Sequence, residues 1–256
     1  MNQTILPEIL DSGENKSIAI SVPDKYKINY LELKNHVNAA SNLLNSFGTL
    51  NERAIIIVLG NNAEFIITFL AVTKTNAIAA PLNPEFTPEE FKFYLEDINP
   101  SLLITTEGHQ VINEAKNKNI PIATVSFNQN TFDLKFDGTP HKQKDNNSPN
   151  ENNSCLFLHT SGTTSRPKGV PLKHKNLLKS LDNIIDTYNL TKNDVAMVVM
   201  PLFHVHGLIG VALSTLASGG EIVVPEKFSA SAFWKIQKKY NATWYSAVPT
   251  IHQILL

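Results

Sequence analysis

The sequence predicts an α/β protein built from layered, parallel-rich sheets with flanking helices. Short runs of β-branched and other apolar residues alternate along the chain with longer segments whose apolar residues recur at helical spacing. The run Ala54 to Leu59 is apolar without interruption, which is typical of a strand that helices cover on both faces. Repeated strand–helix alternation favours parallel pairing, because each helix carries the chain back to the edge where it started.

The first elements follow from spacing and stop signals. Tyr30 to Phe47 places its apolar residues on one helical face, and Gly48 offers a C-terminal stop. After the strand at Ala54 to Leu59, the segment Glu64 to Val72 predicts a second helix. Ala77 to Leu82 then predicts another short buried strand.

A compact helix start follows at Thr87. Its side chain can cap the helix, Pro88 suits the first helical position, and Glu90 completes a capping box. The next predicted elements are a strand at Leu102 to Thr105, a helix near Gln110 to Lys118 and a strand near Pro121 to Val125.

The segment 128–153 differs in composition from the rest of the chain. Asn, Lys and acidic residues dominate it, so we interpret it as a solvated loop or a partly disordered linker. This linker divides the chain into a first α/β subdomain, residues 1–127, and a second α/β segment, residues 154–256. The apolar pattern resumes at once in the second segment, with a strand at Cys155 to Leu158.

Composition excludes several classes of protein. The 256 residues carry 22 Lys and Arg against 23 Asp and Glu, so a net charge of −1 offers no general attraction for nucleic acid or an anionic membrane. Polar and glycine residues interrupt the most apolar stretch, Val205 to Ala217, which is shorter than the ~20 residues a membrane span needs. The lone cysteine, Cys155, cannot form an internal disulfide, and we expect a reducing, cytoplasmic location.

The segment from Thr160 to Lys168 is dense in hydroxyl side chains. It lies between the strand at Cys155 to Leu158 and a helix predicted from Leu177 to Tyr188, and such a strand–loop–helix junction can hold an anion. Hydroxyl groups donate to phosphate oxygens, Gly162 allows close backbone approach, and Lys168 supplies positive charge. The spacing is not that of the usual P-loop. An ordinary polar turn is the alternative, but it would leave Pro and Lys at these positions unexplained.

The string T-S-G-T-T-S-R-P-K-G, residues 160–169, resembles the phosphate-binding signature of the acyl-adenylate-forming enzymes. That family includes acyl-CoA synthetases, luciferases and peptide-synthetase adenylation domains. Most members carry Gly where this chain has Ser165, and with the preceding L-F-L-H the segment most resembles the oxalate–CoA ligase branch. The resemblance implies ATP binding by six residues of the loop, namely Thr160, Ser161, Gly162, Thr163, Thr164 and Lys168.

Two histidines, His204 and His206, lie in P-L-F-H-V-H-G. Their spacing could suggest a metal pair, but no third ligand stands at a suitable distance, and we predict no metal site. A second interpretation is one hydrogen-bonded core imidazole and one surface imidazole. The resemblance implies a third, because the segment is similar to a family motif that borders ATP and the acyl group. His204 would then lie near the adenylate and His206 beside the acid, where an imidazole favours a small, doubly charged substrate.

The resemblance implies a two-step reaction. A carboxylate, in this branch oxalate, attacks the α-phosphate of Mg·ATP to give acyl-AMP and pyrophosphate, and the CoA thiol then displaces AMP. ATP, Mg²⁺ and CoA are the implied cofactors. Relatives often place a basic residue that faces CoA near Lys227, although a solvated surface lysine is the alternative.

The family's magnesium-holding Glu, its ribose motif and its catalytic Lys are not found before Leu256, so no catalytic residue is assigned. We therefore expect the chain to be about the first half of the family's length, an incomplete large N-terminal domain. The alternative is a truncated protein that binds a nucleotide or a partner without completing catalysis. Fungal relatives often carry a C-terminal peroxisomal signal, so a peroxisomal location stays open for a full-length form.

Overall fold

Two sheets organise the described residues, 3–48, 51–138, 148–160 and 167–256, of the computed structural model. The strands are β1 Ile18–Val22, β2 Tyr26–Asn29, β3 Ala54–Val58, β4 Ile78–Pro81, β5 Leu102–Thr105, β6 Ile122–Phe127, β7 Phe132–Asp137, β8 Ser154–Thr160, β9 Lys168–Lys173, β10 Val195–Met197 and β11 Glu221–Val223. The α-helices are α1 Tyr30–Phe47, α2 Ala63–Lys74, α3 Pro88–Ile98, α4 Val111–Asn117, α5 His174–Tyr188, α6 Ser214–Ala217, α7 Ala230–Tyr240 and α8 Pro249–Leu255. A 3-10 helix, Leu6–Ser12, and a π-helix, His206–Leu213, complete the set.

Parallel pairing dominates both sheets. The larger sheet has the order β7-β6-β5-β3-β4-β8-β9, and its central pairs, from β6 to β8, are all parallel. Only its two outermost pairs, β6 with β7 and β8 with β9, are antiparallel among the described strands. The smaller sheet, β10-β11-β1-β2, is parallel except for the pair formed by β1 and β2. Helices cover these sheets, so the predicted fold class is confirmed.

Local signals placed the first helices correctly. The helix predicted at Tyr30 to Phe47 is α1, and Asn29 caps it by accepting the N–H of Glu32 at 2.9 Å. At the start of α3 the predicted capping box is present: the N–H of Glu90 donates to Thr87 Oγ1 at 3.3 Å, and the N–H of Thr87 donates to Glu90 Oε2 at 2.8 Å. Strand β5 has the predicted bounds, Leu102–Thr105.

The interpretation of 128–153 as a loop is wrong for residues 132–137. These residues form β7, which pairs antiparallel with β6 from Ile122↔Asp137 to Phe127↔Phe132. Phe132 and Leu134 are buried, and Phe136 stacks on Phe47 with ring centroids 4.4 Å apart. A strand needs only alternate apolar residues when one face is solvated, so three of them sufficed within a polar segment.

The expected strand–loop–helix junction is also wrong, because β9 stands between the hydroxyl-rich loop and α5. Strand β9 pairs antiparallel with β8, with Thr160 opposite Lys168 and Leu158 opposite Val170. It covers the edge that β8 would otherwise leave open. Helix α5 therefore begins at the far end of a six-residue strand, roughly 20 Å along the chain from the loop.

Strands from both sides of the Asn-rich segment meet in each sheet. In the larger sheet Ala79 of β4 pairs with Leu156 of β8, and in the smaller sheet Ile20 of β1 pairs with Ile222 of β11. One buried hydrophobic cluster likewise contains residues of both sheets and from both sides of that segment. The division into 1–127, 128–153 and 154–256 stays a prediction about domains. Within the described ranges, the helices are too short or too polar to cross a membrane.

Candidate functional site

Two cavities lie where the parallel strands end. One, of about 220 Å³, is lined by Pro81, Leu82, Asn83, Phe86, Tyr94, Leu158, His159, Thr160, Phe203, His204 and Val205. The other, of about 500 Å³, is lined by Gly60, Asn61, Asn83, Pro84, Glu85, Val199, Met200, Pro201, Phe203, Glu226, Lys227, Phe228, Val248, Thr250 and Ile251. They share Asn83 and Phe203. Ligands of open α/β sheets bind outside the carboxyl ends of the strands, which is where both cavities lie.

Only part of the predicted phosphate loop falls within the described residues. Ser161, Gly162, Thr163 and Thr164 lie outside them. Thr160 ends β8 at the wall of the smaller cavity, and its Oγ1 donates to the carbonyl oxygen of Lys168 at 3.4 Å. Lys168 begins β9 with an exposed side chain. The structure thus sets Thr160 and Lys168 opposite each other at the two ends of the loop.

His204 lies on the wall of the smaller cavity together with Thr160. Its ring lies against that of Phe203, with centroids 4.5 Å apart, and loss of water around the ring lowers the pKa of His204 below its usual value. The imidazole is therefore mainly neutral near pH 7, with one nitrogen that donates and one that accepts. A neutral donor at this wall can bind an oxygen of an anionic ligand.

His206 has a different environment from His204. It is the first residue of the π-helix, and its Nε2 lies 2.8 Å from Oγ of Ser246. His204 lines the smaller cavity, whereas His206 is not among the described residues that line either cavity. The structure therefore brings Thr160 and His204 together, and it sets His206 beside Ser246.

The carboxylates near the cavities are already paired. Glu226 forms an ion pair with Lys25, and Oε1 of Glu85 lies 3.7 Å from Nζ of Lys227. Lys227 itself is 85% exposed at the mouth of the larger cavity. Within the described ranges, no three His, Cys, Asp or Glu side chains are grouped to hold a metal ion. Mg²⁺ that accompanies a nucleotide is held by one or two carboxylates together with phosphate oxygens and waters, and we assign none of the described carboxylates to it.

Sequence reasoning missed the partner of His159. This residue precedes Thr160 in β8, and its Nε2–H donates to Oδ2 of Asp97 on α3 at 2.8 Å. The rings of Tyr94 and Phe157 pack edge-on against the imidazole, at 4.8 and 5.2 Å. The position of His159 beside the hydroxyl run was a usable signal, whereas nothing in the local sequence pointed to Asp97.

Known proteins resemble this chain in both sequence and fold. Residues 11–256 match the family described as AMP-binding enzyme. An oxalate–CoA ligase of Arabidopsis thaliana is 43% identical over 247 residues, covering 93% of this chain and 48% of that protein. An oxalate–CoA ligase of Saccharomyces cerevisiae is 34% identical over 274 residues, covering 94% of this chain and 50% of that protein. The chain thus spans about half the length of the curated relatives it matches.

The crystal structure of apo MatB from Rhodopseudomonas palustris has the same fold. It superposes with a TM-score of 0.83 over 99% of this chain and 51% of that chain, at 21% sequence identity. An identity this low supports the fold alone, so the family assignment depends on the sequence match. Because that match extends from residue 11 to residue 256, the chain belongs to the family of AMP-binding enzymes.

Proposed function

We propose that a protein containing this chain activates a small carboxylic acid, oxalate, with ATP and transfers the acyl group to CoA. In this proposal the chain supplies the residues that bind the ATP phosphates and part of the acid pocket. The observation that carries it is the convergence of Thr160 and His204 on one cavity at the carboxyl ends of the parallel strands. The identity of 43% with an oxalate–CoA ligase supports the choice of acid.

Binding of the ATP phosphates in this proposal depends on positive charge and on hydroxyl groups. Thr160 and Lys168 lie at the two ends of the loop 160–168. Ser161, Gly162, Thr163 and Thr164 complete the proposed ATP-binding set. An exposed ammonium group can approach the β- and γ-phosphates and oppose the negative charge that develops as pyrophosphate leaves. The work of this segment is positioning and electrostatic stabilisation, which account for most of the catalysis of phosphoryl chemistry.

The acid pocket depends on neutral polar groups. In the proposal His204 binds near the adenylate, and His206 faces the second carboxylate of the acid. The bond between His206 Nε2 and Ser246 Oγ supports this role, because it fixes the ring and leaves Nδ1 for another partner. A buried carboxylate needs such a donor, whereas a fatty chain would be better served by an aromatic side chain.

The proposed reaction has two steps, formation of the acyl-adenylate and transfer of the acyl group to CoA. A carboxylate oxygen of the acid bonds to the α-phosphorus of ATP, the α–β anhydride bond breaks, and pyrophosphate leaves. The sulfur of CoA then bonds to the acyl carbon, AMP leaves with the electron pair of the broken acyl–phosphate bond, and the thiol proton passes to solvent. No described carboxylate is assigned to the Mg²⁺ that would accompany ATP, and we assign no step to that ion.

The test is acid-dependent release of AMP and pyrophosphate by a full-length form, with oxalate, malonate, acetate and a medium-chain acid compared. We expect the highest kcat/KM with oxalate. A preference for the medium-chain acid would overturn the substrate assignment. ATP binding without release on any acid would instead favour the second candidate, a nucleotide-binding protein without catalysis, which is kept because the chain spans only half the length of its relatives.

A further inference from the structure

The side chain of Asn61 joins the two sheets where the cavities meet. Asn61 follows β3 of the larger sheet, and its Nδ2 donates to the carbonyl oxygen of Met200 at 3.3 Å. Its Oδ1 accepts the N–H of Leu202 at 2.8 Å. Met200 and Leu202 belong to the loop after β10 of the smaller sheet. One primary amide thus binds an acceptor and a donor of the same loop.

The two bonds hold backbone groups that have little access to water. Leu202 is fully buried, and Met200 is partly buried. A buried N–H that loses its partner carries the full cost of its desolvation, so the loop is most stable where Asn61 can reach it. The primary amide offers both a donor and an acceptor here, whereas a carboxylate lacks the donor and an aliphatic side chain lacks both.

The loop that Asn61 holds carries the walls of both cavities. Phe203 lines the two cavities, and His204 lines the smaller one. The N–H of His204 donates to the carbonyl oxygen of Pro201 at 3.2 Å, and the carbonyl oxygen of His204 accepts the N–H of Leu208 at 2.9 Å. A displacement at Met200 or Leu202 would therefore be transmitted to the ring of His204 and to the π-helix.

We propose that Asn61 is a positioning residue of the acid-activating site. By binding Met200 and Leu202 it sets the position of Phe203 and His204 relative to Thr160, which ends β8 of the other sheet. The catalytic consequence rests on the proposed function, whereas the effect on the loop does not. Asn61 itself touches no reacting atom in this account.

The neighbouring asparagine provides a matched control. Oδ1 of Asn62 accepts the N–H of Phe65 at 2.8 Å and so caps α2. Asn62→Ala should lower Tm through the loss of this cap without changing the loop. Asn61→Leu removes both loop bonds at nearly constant size. Asn61→Asp keeps the shape and the acceptor for Leu202 but loses the donor to Met200.

The first measurement is amide hydrogen exchange of Leu202 in the 256-residue chain. We expect the exchange rate to rise by roughly tenfold or more in Asn61→Leu and to change little in Asn61→Asp and Asn62→Ala, because only the first variant removes its acceptor. An unchanged rate in Asn61→Leu would overturn the proposal. If Asn61→Leu does not fold, Asn61→Ala takes its place, and unchanged Leu202 exchange there would overturn the proposal equally.

The second measurement is steady-state kinetics of a full-length form. We expect Asn61→Leu to lower kcat/KM for the acid by roughly tenfold or more, Asn61→Asp to have an intermediate effect, and Asn62→Ala to leave it unchanged. Equal losses of kcat/KM in Asn61→Leu and Asn62→Ala at equal Tm would show that Asn61 has only a structural role and would overturn the proposal. A wild-type form that releases no AMP with any acid would sink the proposed function instead, and the exchange measurement would still decide whether Asn61 positions the loop.

Discussion

The Nε2 atom of His159 lies 2.8 Å from Oδ2 of Asp97, and this contact joins residues that are 62 positions apart. The side chain of His159 is only 6% exposed, between the rings of Tyr94 and Phe157. Since Thr160 comes next in β8, the contact ties the strand that leads into the hydroxyl-rich loop to α3. The position of the end of β8 therefore depends on a helix that is far away in sequence.

Asp97→Ala should destabilise the protein by about 1–3 kcal/mol, because it leaves the nearly buried Nε2–H of His159 without an acceptor. Glu96→Ala is the matched control on the same helix, since Glu96 forms an exposed pair with Lys118 and should contribute little. Urea unfolding of both variants measures the difference. Equal free energies of unfolding would contradict the structural role of the His159–Asp97 contact.

Gly207→Ala should destabilise the protein, because it disturbs the packing of the π-helix against the loop that precedes it. A Cβ at Gly207 would lie 2.3 Å from the carbonyl oxygen of Pro201 and 2.7 Å from that of Met200. Backbone atoms cannot move aside cheaply, so we expect a loss of about 1–3 kcal/mol. Gly210→Ala is the control, because the nearest atom to its Cβ would be His206 Cδ2 at an ordinary 3.5 Å. Thermal unfolding that ranks Gly210→Ala as the worse variant would refute this packing argument.

Local patterns predicted the elements that depend on neighbours in sequence. The helix from Tyr30 to Phe47 and the capping box of Thr87 with Glu90 are short-range features, and each was predicted from its own segment. Strand β7 was missed because the Asn-rich composition around it hid the alternation of Phe132, Leu134 and Phe136.

Long-range pairings were beyond sequence reasoning. Strand β9 was missed because its partner β8 lies across the hydroxyl-rich loop, and nothing within Lys168–Lys173 itself specifies antiparallel pairing. The bond between Asn61 and Met200 joins residues 139 positions apart, and no periodicity or motif in a single sequence encodes it. The site residues Thr160 and His204 were predicted from family resemblance, but their convergence on one cavity came from the fold.

His174 should make the stability of the fold depend on pH. It is fully buried, its Nδ1 accepts the N–H of Leu6 at 3.0 Å, and in the described part of the chain its Nε2 has no hydrogen-bond partner. Burial lowers the pKa of His174 to about 4, whereas an unfolded histidine titrates near about 6.5. Below about pH 6.5 the unfolded state takes up a proton that the folded state refuses. Stability is therefore fullest above this pH and falls by roughly 3 kcal/mol as the pH drops to about 4.

The variant His174→Gln isolates this contribution, because its amide oxygen can accept the N–H of Leu6 without titrating. Urea unfolding at about pH 7 and at about pH 4.5 should show a larger loss of stability in the wild type than in the variant. The same loss in both proteins would show that other groups cause the acid sensitivity.

His206→Phe should shift acid preference if the proposed function holds. Loss of the imidazole removes a donor for a second carboxylate, so kcat/KM for oxalate should fall by roughly 100-fold while that for acetate changes less. Ser246→Ala is the companion variant, since it keeps the imidazole and removes only the hydroxyl that lies 2.8 Å from Nε2. We expect it to have a smaller effect on oxalate. Parallel losses for oxalate and acetate in His206→Phe would remove the specificity role of His206.

The most direct test of oxalate activation by this chain, and of phosphate binding by Lys168, is oxalate-dependent ATP–pyrophosphate exchange in a chimaera. The part of this chain that aligns with the Arabidopsis thaliana oxalate–CoA ligase would replace the corresponding segment of that ligase, with Lys168→Ala and the control Lys173→Ala made in the same background. Lys173 lies at the opposite end of β9 from the loop. We expect exchange that requires oxalate, survives Lys173→Ala and falls by roughly 10–100-fold in Lys168→Ala, because a charge-assisted phosphate contact is lost. A folded chimaera whose exchange is indifferent to oxalate, or undiminished by Lys168→Ala, would contradict this expectation.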